Sequence, residues 1–422
     1  MTSERDCFVY IMLPGKTEYV TAGRFRLEQT VDGNPVGRFV YGRRYLERHD
    51  AVEFDPVELR LNNKNYETVR MNGFFGAIRD SMPDYWGRRV IEKHVGQTQL
   101  EEFSYLMESA DDRAGALGFG LNVEPPSPKR KFNRTLNLER LQLEAEAITN
   151  DDPSLAGSAT DQVGELLLLG TSMGGARPKT VIEDDNALWL AKFSQMDDRW
   201  NQPLVEHAML KLAKQCSIDV AHSRMTSVAG KDVLLVRRFD REWTAKGYNR
   251  HRMISALTLL RDGDNPAERY NWSYLLLADE IRRASIKPES DLRELFTRMC
   301  FNAIISNSDD HPRNHAMIAT DKGWQLSPAY DLTPTPQVSI EARNLAMTCG
   351  SNGRYANKNN LLSEHGRFLL SLEDATVIIN NIVDTVRSEW QSTMYRCGVT
   401  QADCEKTKNA FLYEGFFYES NS

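Results

Sequence analysis

The chain has 422 residues, of which 41% are hydrophobic, so it is long enough for two or three domains and apolar enough to bury their cores. Its formal net charge of -7 argues against a protein that coats nucleic acid by itself, because such binding needs clustered cations. Six cysteines without a Cys-x-x-Cys pair, no secretory signal and no apolar stretch of about 18 residues together indicate a cytoplasmic protein without a membrane span.

The distribution of apolar residues predicts an α+β fold in three parts. Residues 1–130 alternate short apolar runs with glycine turns, which predicts a β-rich N-terminal subdomain with added helices. A mixed segment of strands and helices is predicted over 131–245, beginning with a helix at Leu138. From 246 to 422 the pattern is mainly helical. The strongest helix candidates cover 275–283, 292–305 and 372–396.

A glycine-rich segment follows the apolar run 166–169. Glycines allow backbone N–H groups to approach phosphate oxygens closely, and Lys179 adds a cation. The segment is not a Walker A loop, because Gly-Lys-Ser/Thr is absent. An ordinary hairpin loop is the alternative interpretation. The candidate phosphate-binding residues are Ser172, Met173, Gly174, Gly175, Ala176 and Lys179.

A lone lysine, Lys192, lies in the predicted strand 188–193 among apolar neighbours. A buried ammonium group needs an anionic partner, which nucleotide phosphates and an acidic helix residue would provide. Glu206, in the amphipathic run 204–216, is the best candidate for that acid. The alternative is an edge-strand lysine whose ammonium group reaches water.

The run 233–241 is typical of a hydrophobic strand that ends in charge. In a kinase such a strand leads into the hinge whose backbone pairs with adenine. Val236 and Arg237 are therefore candidate nucleotide-binding residues, although this motif is weak by itself.

Two acids and one amide carry the most chemical information. Asp309 and Asn314 lie five residues apart, and Asp331 follows. Protein kinases need this arrangement, because one Asp orients the substrate hydroxyl while an Asn and a later Asp hold Mg²⁺. The stretch 306–316 is almost entirely polar, so we expect it to face solvent or a charged ligand and not the core. The alternative is a solvated or Ca²⁺-binding turn, although the glycine and glutamate of an EF-hand loop are missing.

Together these segments resemble the HipA family of serine/threonine kinases, the toxins of bacterial type II toxin–antitoxin pairs. The resemblance covers nearly the whole chain. Its marks are Ser172-x-x-Gly175-x-x-x-Lys179-Thr180, the Lys192 strand, Glu206, Arg238-Phe239-Asp240-Arg241, Asn307-x-Asp309-x-His311-x-x-Asn314, Tyr330-Asp331, Gly37-x-Phe39-x-Tyr41, Met82-Pro83-Asp84-x-Trp86-Gly87-Arg88 and Asp112-Arg113-x-Gly115-Ala116-Leu117.

The resemblance implies a two-lobed kinase-like fold, with 131–245 as the nucleotide-binding lobe and 246–422 as the helical catalytic lobe, and a role for each matching residue. Asp309 would be the catalytic acid, Asn314 and Asp331 the Mg²⁺ ligands, and Lys192 the phosphate-binding lysine. Ser172 falls on the family's autophosphorylation site, which would act as an off switch. The candidate catalytic residues are Asp309, Lys192 and His311. Ordinary protein kinases place a histidine two residues before the catalytic Asp, whereas His311 follows Asp309 by two.

The implied function is an ATP- and Mg²⁺-dependent protein serine/threonine kinase. The family's known targets are aminoacyl-tRNA synthetases, and its partners are HipB-like antitoxins through which DNA is bound. The segment 251–258 departs from the acid-containing stretch of the best-known members, which leaves substrate and antitoxin recognition open. Two alternatives remain: a phosphotransferase for a small alcohol or sugar, and a non-catalytic module that binds an antitoxin and DNA.

Overall fold

The computed structural model describes residues 5–128, 132–134, 138–150, 175–264, 266, 269–336 and 339–418. The chain forms two compact units. Unit 1 comprises Met1–Gln195, Arg237–Glu268 and Ile318–Gly323, and unit 2 comprises Met196–Val236, Arg269–Met317 and Trp324–Ser422. Antiparallel sheets and helices occur together, so the predicted α+β class is confirmed, while the three predicted domain boundaries stay a prediction. Within the described ranges, no helix combines the length and the apolar character that crossing a bilayer requires.

The regular elements are numbered in chain order. The strands are β1 (Arg5–Met12), β2 (Tyr19–Gln29), β3 (Pro35–Tyr41), β4 (Tyr66–Thr68), β5 (Leu117–Gly120), β6 (Asn133–Arg134), β7 (Lys179–Asp184), β8 (Ala187–Phe193), β9 (Ser223–Val228), β10 (Lys231–Arg237), β11 (Arg241–Thr244), β12 (Gly247–Arg250), β13 (Arg252–Ser255), β14 (Ala316–Ala319) and β15 (Gln325–Leu326). The α-helices are α1 (Arg43–Leu46), α2 (Gly76–Asp80), α3 (Tyr85–Val95), α4 (Glu102–Glu108), α5 (Leu138–Thr149), α6 (Gln202–Gln215), α7 (Ala256–Leu260), α8 (Tyr274–Ala284), α9 (Pro288–Ile304), α10 (Lys358–Ser363), α11 (Leu372–Arg396) and α12 (Gln401–Thr407).

Unit 1 begins with a five-stranded antiparallel sheet in the order β4-β3-β2-β1-β5. On β3, the side chains of Phe39 and Tyr41 are buried, with ring centroids 4.8 Å apart in an edge-to-face contact. Gly37 has no room for a side chain, because a Cβ atom there would lie 1.7 Å from the carbonyl oxygen of Gly73. The Gly37-x-Phe39-x-Tyr41 motif is therefore a packing motif of this sheet.

A second strand group in unit 1 carries the lysines of the predicted nucleotide site. β6 pairs in parallel with β7, and β7 pairs with β8 in an antiparallel ladder in which Lys179 lies opposite Lys192. Val181, Leu188 and Leu190 form a buried cluster between these strands and the partly buried ring of Tyr248. Residues that lie opposite each other in such a ladder point to the same face, so the two lysine side chains share one face of the β7–β8 ladder.

A buried network of charges joins two distant segments of unit 1. Arg238 contacts Asp112 at 2.6 Å and Asp240 at 2.9 Å, and Arg241 contacts Asp240 at 2.7 Å. All four side chains are at most 1% exposed. Burial by itself would raise the pKa of Asp240, but the guanidinium groups of Arg238 and Arg241 lower it below its ordinary value. The Asp112-Arg113 and Arg238-to-Arg241 motifs are thus two halves of one network.

Unit 2 is mainly helical. Helix α9 is its buried centre, because Leu292, Leu295, Phe296 and Met299 are fully buried and the helix packs against α8 and α11. The long helix α11 has the bounds that apolar periodicity predicts, and its first turn is capped by the side chain of Ser371. In the same unit, β9 and β10 form an antiparallel hairpin beside α6.

We predict that Asp112→Asn lowers the free energy of unfolding of unit 1 by roughly 3–5 kcal/mol, because it leaves two buried guanidinium groups with one carboxylate. Urea unfolding followed by tryptophan fluorescence measures the change. Glu47→Gln removes a carboxylate from the exposed Arg43–Glu47 pair and serves as the control that leaves the unfolding curve in place. Equal curves for Asp112→Asn and wild type would contradict the prediction.

Candidate active site

The polar loop of the predicted site starts where α9 ends in unit 2. Ser306 adopts a left-handed backbone conformation with φ 54°. Its N–H donates to the carbonyl of Ala303 at 3.2 Å, and the N–H of Asn307 donates to the carbonyl of Asn302 at 2.8 Å. These two bonds are the Schellman pattern that ends a helix, with serine at the position where glycine is usual.

The hydroxyl of Ser306 holds this turn in place. It donates to the carbonyl of Ala410 at 2.6 Å and accepts a hydrogen bond from Arg343 at 2.6 Å. Arg343 in turn lies over the ring of Tyr413, 4.5 Å from its centroid. The left-handed backbone conformation is strained for a non-glycine residue. The hydrogen bonds of the Ser306 hydroxyl to Ala410 and Arg343 offset this strain and explain why serine is tolerated there.

The expectation that the stretch 306–316 faces solvent or a ligand is wrong for most of its side chains. Asn307 is 0% exposed, Asp310 1% and His315 2%. The physical reason is that these polar groups bind each other: Asp310 Oδ2 lies 2.9 Å from His315 Nε2, and Asn307 Nδ2 donates to Asn302 Oδ1 at 3.1 Å. Polar groups that bind each other can be buried, and the stretch is a packed loop, although Oδ1 of Asn307 and of Asp310 has no hydrogen-bond partner among the described residues.

Asp309 is the exposed carboxylate of this packed loop. Its carbonyl accepts hydrogen bonds from the N–H of His311 at 2.8 Å and from Asn314 Nδ2 at 3.2 Å. The N–H of Asn314 donates to the carbonyl of His311 at 2.8 Å, within a short turn over Pro312–Asn314. The spacing of five residues between Asp309 and Asn314 thus corresponds to a closed, internally bonded loop.

The segment that carries Asp331 is joined to the same loop. The Tyr330 hydroxyl donates to the carbonyl of Arg313 at 2.8 Å. Asp331 has a left-handed backbone with φ 58°, a conformation in which Asp and Asn are enriched. The structure therefore brings Asp309, Asn314 and Asp331 together in unit 2, while the roles assigned to the three residues stay a prediction.

Partial desolvation raises the pKa of Asp309 above its ordinary value. His311 and Arg269 act in the opposite direction, and the nearby carboxylate of Asp331 raises the pKa further. Two acids that disfavour each other's charge form a region of negative potential, which attracts a cation.

Arg269 and Trp272 border the loop that carries Asp309, and the sequence patterns identify neither of them. The guanidinium of Arg269 lies 4.3 Å from the centroid of the Trp272 ring, and that ring is 6.3 Å from the ring of His311. His311 is thus held against an aromatic side chain beside Asp309. An isolated Arg-x-x-Trp carries no periodic signal, so only the fold identifies this contact.

The oxygen atoms of this group fit Mg²⁺. Mg²⁺ prefers carboxylate and amide oxygens and usually binds one or two protein carboxylates together with substrate phosphates. Asn314 uses its Nδ2 for the Asp309 carbonyl, which leaves Oδ1 as the atom for a ligand. The described part of the chain contains no group of three or more His, Cys, Asp or Glu side chains suited to a metal.

The predicted nucleotide-binding residues of unit 1 are described only in part. Ser172, Met173 and Gly174 lie outside the described residues. Gly175 has φ 99°, so glycine is the residue that fits there. Ala176 follows it in a bend, and the half-buried Lys192 lies on β8.

Lys179 is fully buried, and its ammonium group lies 2.7 Å from the Asp84 carboxylate. Its assignment to nucleotide binding stays a prediction. The same holds for Glu206, which is buried on α6, and for Val236 and Arg237, which end β10. Asp84 belongs to the motif Met82-Pro83-Asp84-x-Trp86-Gly87-Arg88. No spacing rule connects this motif with Lys179.

Comparison with known families agrees with a kinase-like class of protein. The family model described as HipA-like C-terminal domain matches residues 171–390, and the HipA N-terminal domain matches residues 20–120. The first match alone covers more than half of the chain. The chain therefore belongs to the HipA family, and the predicted family is confirmed.

Individual relatives agree with this assignment. A Sinorhizobium fredii protein provisionally named kinase Y4mE is 25% identical over 358 residues, which are 76% of this chain and 79% of the relative. A Haemophilus influenzae protein, also provisionally named a kinase, is 25% identical over 195 residues, 40% of this chain and 55% of the relative. Among solved structures, a Shewanella oneidensis MR-1 HipA, in a complex with HipB and operator DNA, matches with a TM-score of 0.66 at 14% identity, covering 97% of this chain and 100% of that one. This structural likeness shows the fold.

We predict that Asp331→Asn lowers the pKa of Asp309 in the metal-free protein, because it removes the like charge that disfavours the Asp309 carboxylate. Carbon-13 NMR of the aspartate side-chain carboxyl groups against pH measures the change. Asp384→Asn, at a carboxylate that is 75% exposed and paired with Arg387, is the matched control. An Asp309 titration that Asp331→Asn leaves unchanged, or moves to higher pH, would disprove the electrostatic coupling.

Proposed function

We propose that this HipA-family protein is an ATP- and Mg²⁺-dependent protein serine/threonine kinase. The observation that carries the proposal is the group of Asp309, Asn314 and Asp331, which one packed loop and one adjoining segment bring together. In protein kinases, these residue types in this order orient a hydroxyl and hold the metal. In a solvated polar turn, the polar side chains would contact water. Here several of them are buried and hydrogen-bonded to each other, which favours a preorganised site.

Asp309 accepts the proton of the attacking hydroxyl, or orients that hydroxyl, in the proposed reaction. Its exposed carboxylate is accessible to a substrate, while its backbone is held by His311 and Asn314. The neighbouring Asp331 raises its pKa, which makes Asp309 a better proton acceptor than an ordinary aspartate. Trp272 holds the His311 ring beside it, which limits the movement of the loop.

Asn314 and Asp331 hold Mg²⁺ in this proposal, and Lys192 binds phosphate. When bound, Mg²⁺ neutralises the charge of the transferring phosphoryl group. The contribution of the protein is position and charge: oxygen ligands on a loop that is already ordered, and an ammonium group on a regular strand. Glu206 is proposed to pair with Lys192, and Val236 and Arg237 to lie beside adenine.

We also propose a protein substrate of the kind the family acts on, aminoacyl-tRNA synthetases, and a HipB-like antitoxin as partner. The Shewanella oneidensis structure supports the antitoxin, because that HipA was solved together with HipB and operator DNA. The net charge of -7 supports contact with DNA through the partner and not through this chain alone.

We predict that Asp309→Asn lowers the rate of phosphoryl transfer by about 10²- to 10⁴-fold, because the hydroxyl loses its proton acceptor. Purified protein is incubated with labelled ATP, Mg²⁺ and a cell lysate, and labelled proteins are separated and counted. Binding of a non-hydrolysable ATP analogue should remain, since Asp309 is not assigned to the nucleotide.

Asp384→Asn, the same chemical change at an exposed carboxylate, is the control that keeps full activity. Label that appears only in small metabolites would support the phosphotransferase alternative. Transfer that continues unchanged in Asp309→Asn would show that this loop is not the active site.

We predict that Ser172 is the site of an inactivating autophosphorylation. Phosphate there adds about 1.5–2 negative charges to a loop proposed to bind phosphate, which opposes nucleotide entry. Intact-mass measurement before and after incubation with ATP should show a gain of one phosphate that Ser172→Ala abolishes and the control Ser158→Ala retains. If Ser172→Ala still gains the phosphate, Ser172 is not the modified residue.

A further inference from the structure

Asp84, at the start of helix α3, makes a buried ionic contact with Lys179, next to the bend at Gly175–Arg177, which we call the glycine-rich turn. The Lys179 ammonium group lies 2.7 Å from Asp84 Oδ2, and the two side chains are 2% and 9% exposed. The same ammonium group donates to the carbonyl of Gly175 at 3.1 Å. One buried cation thus joins helix α3, strand β7 and the described end of the turn.

Each end of this contact is held by a second interaction. Asp84 is the N-cap of α3, where its Oδ1 accepts from the N–H of Gly87 at 2.7 Å. The fully buried Trp86 donates its indole N–H to the carbonyl of Lys179 at 3.0 Å. Side chains that are fixed at both ends lose little further freedom when they bind each other, so the pair is preorganised.

The charge of Lys179 is already compensated inside the protein. Lys179 lies directly opposite Lys192 on the β7–β8 ladder, and like charges in such a pair disfavour each other. The Asp84 carboxylate offsets the charge of Lys179 at a distance at which Coulomb attraction in a buried setting is strong. This arrangement assigns the phosphate-binding role to the less buried Lys192 and a different role to Lys179.

We infer that Asp84 and Lys179 are positioning residues that hold the glycine-rich turn at Gly175 in the geometry needed for nucleotide binding. The inference rests on the proposed kinase function and deepens it. Lys179 then acts through the backbone of Gly175 and not through contact with phosphate. Without this contact, the Gly175 backbone would have to be ordered when the nucleotide binds, which weakens binding.

A double-mutant cycle tests the inference with four proteins: wild type, Asp84→Asn, Lys179→Met and the double variant. Asn keeps an oxygen that can cap α3, so Asp84→Asn removes the charge and spares the helix. The dissociation constant of a non-hydrolysable ATP analogue with Mg²⁺ is measured by calorimetry, and the melting temperature is recorded for each protein. Asp50→Asn, which removes the exposed carboxylate paired with Arg48, is the matched control.

Each single variant should raise the dissociation constant about 10- to 100-fold. The double variant should bind no more weakly than either single variant, because both changes break one contact. Its melting temperature should recover relative to the single variants, since no buried charge is left unpaired. In transfer assays the KM for ATP should rise while kcat at saturating ATP stays near the wild-type value. Recovered stability without recovered binding separates positioning from a merely structural role.

Three results would overturn the inference, and they are distinguishable. Weak binding in Lys179→Met with wild-type binding in Asp84→Asn would mean that Lys179 contacts phosphate directly. Wild-type binding in all variants would mean that the pair serves stability alone, and the proposed kinase function would still stand. Absence of binding to wild type itself would remove the proposed function together with this inference.

Discussion

The left-handed turn at Ser306 is the constraint on which the candidate active site depends. It ends helix α9 with two backbone hydrogen bonds, and the Ser306 hydroxyl anchors it to Ala410 and Arg343. Since α9 is the buried centre of unit 2, the turn transfers the rigidity of that helix to the loop after it. The hydrogen bond from Asn314 Nδ2 to the Asp309 carbonyl closes the loop. The fixed turn at Ser306 sets the direction in which that loop leaves helix α9. Preorganised loops of this kind are what phosphoryl transfer requires of a protein.

Compensation of buried charge is the second recurring constraint. Asp112 with Arg238 and Asp84 with Lys179 are each nearly excluded from water, with their charged atoms 2.6 and 2.7 Å apart. An uncompensated charge at any of these positions would carry a large desolvation cost. The first pair and its neighbours join two segments of unit 1, one at Asp112 and one at Arg238–Arg241, and the second pair joins helix α3 to the glycine-rich turn. Each of these contacts therefore holds together segments of unit 1 that lie far apart in the sequence.

Local patterns predicted much of the secondary structure. Helix α11 and the core of α9 follow from apolar periodicity, and the strand around Lys192 follows from a short run of apolar and aromatic residues. The prediction that the polar stretch 306–316 faces solvent or a ligand is wrong for most of its side chains. Composition shows that the residues are polar, but it does not show which of them form hydrogen bonds with each other. Asn307 and Asp310 are buried beside Asn302 and His315, which bind one side-chain atom of each, while Oδ1 of both has no hydrogen-bond partner among the described residues. Such pairing depends on three-dimensional geometry and leaves no periodic trace.

The amino-acid sequence alone was enough to predict the family, the α+β class and the order of Asp309, Asn314 and Asp331. The physical reason is that motifs with fixed spacings and apolar periodicity are local properties of the chain. Three features could be identified only from the tertiary structure. They are the set of buried polar groups, the effect of Asp331 in raising the pKa of Asp309, and the pairing of Asp84 with Lys179. Asp84 and Lys179 are separated by 95 residues. Contacts over such separations are set by chain topology and packing, which the local signals that govern helices, strands and turns do not encode.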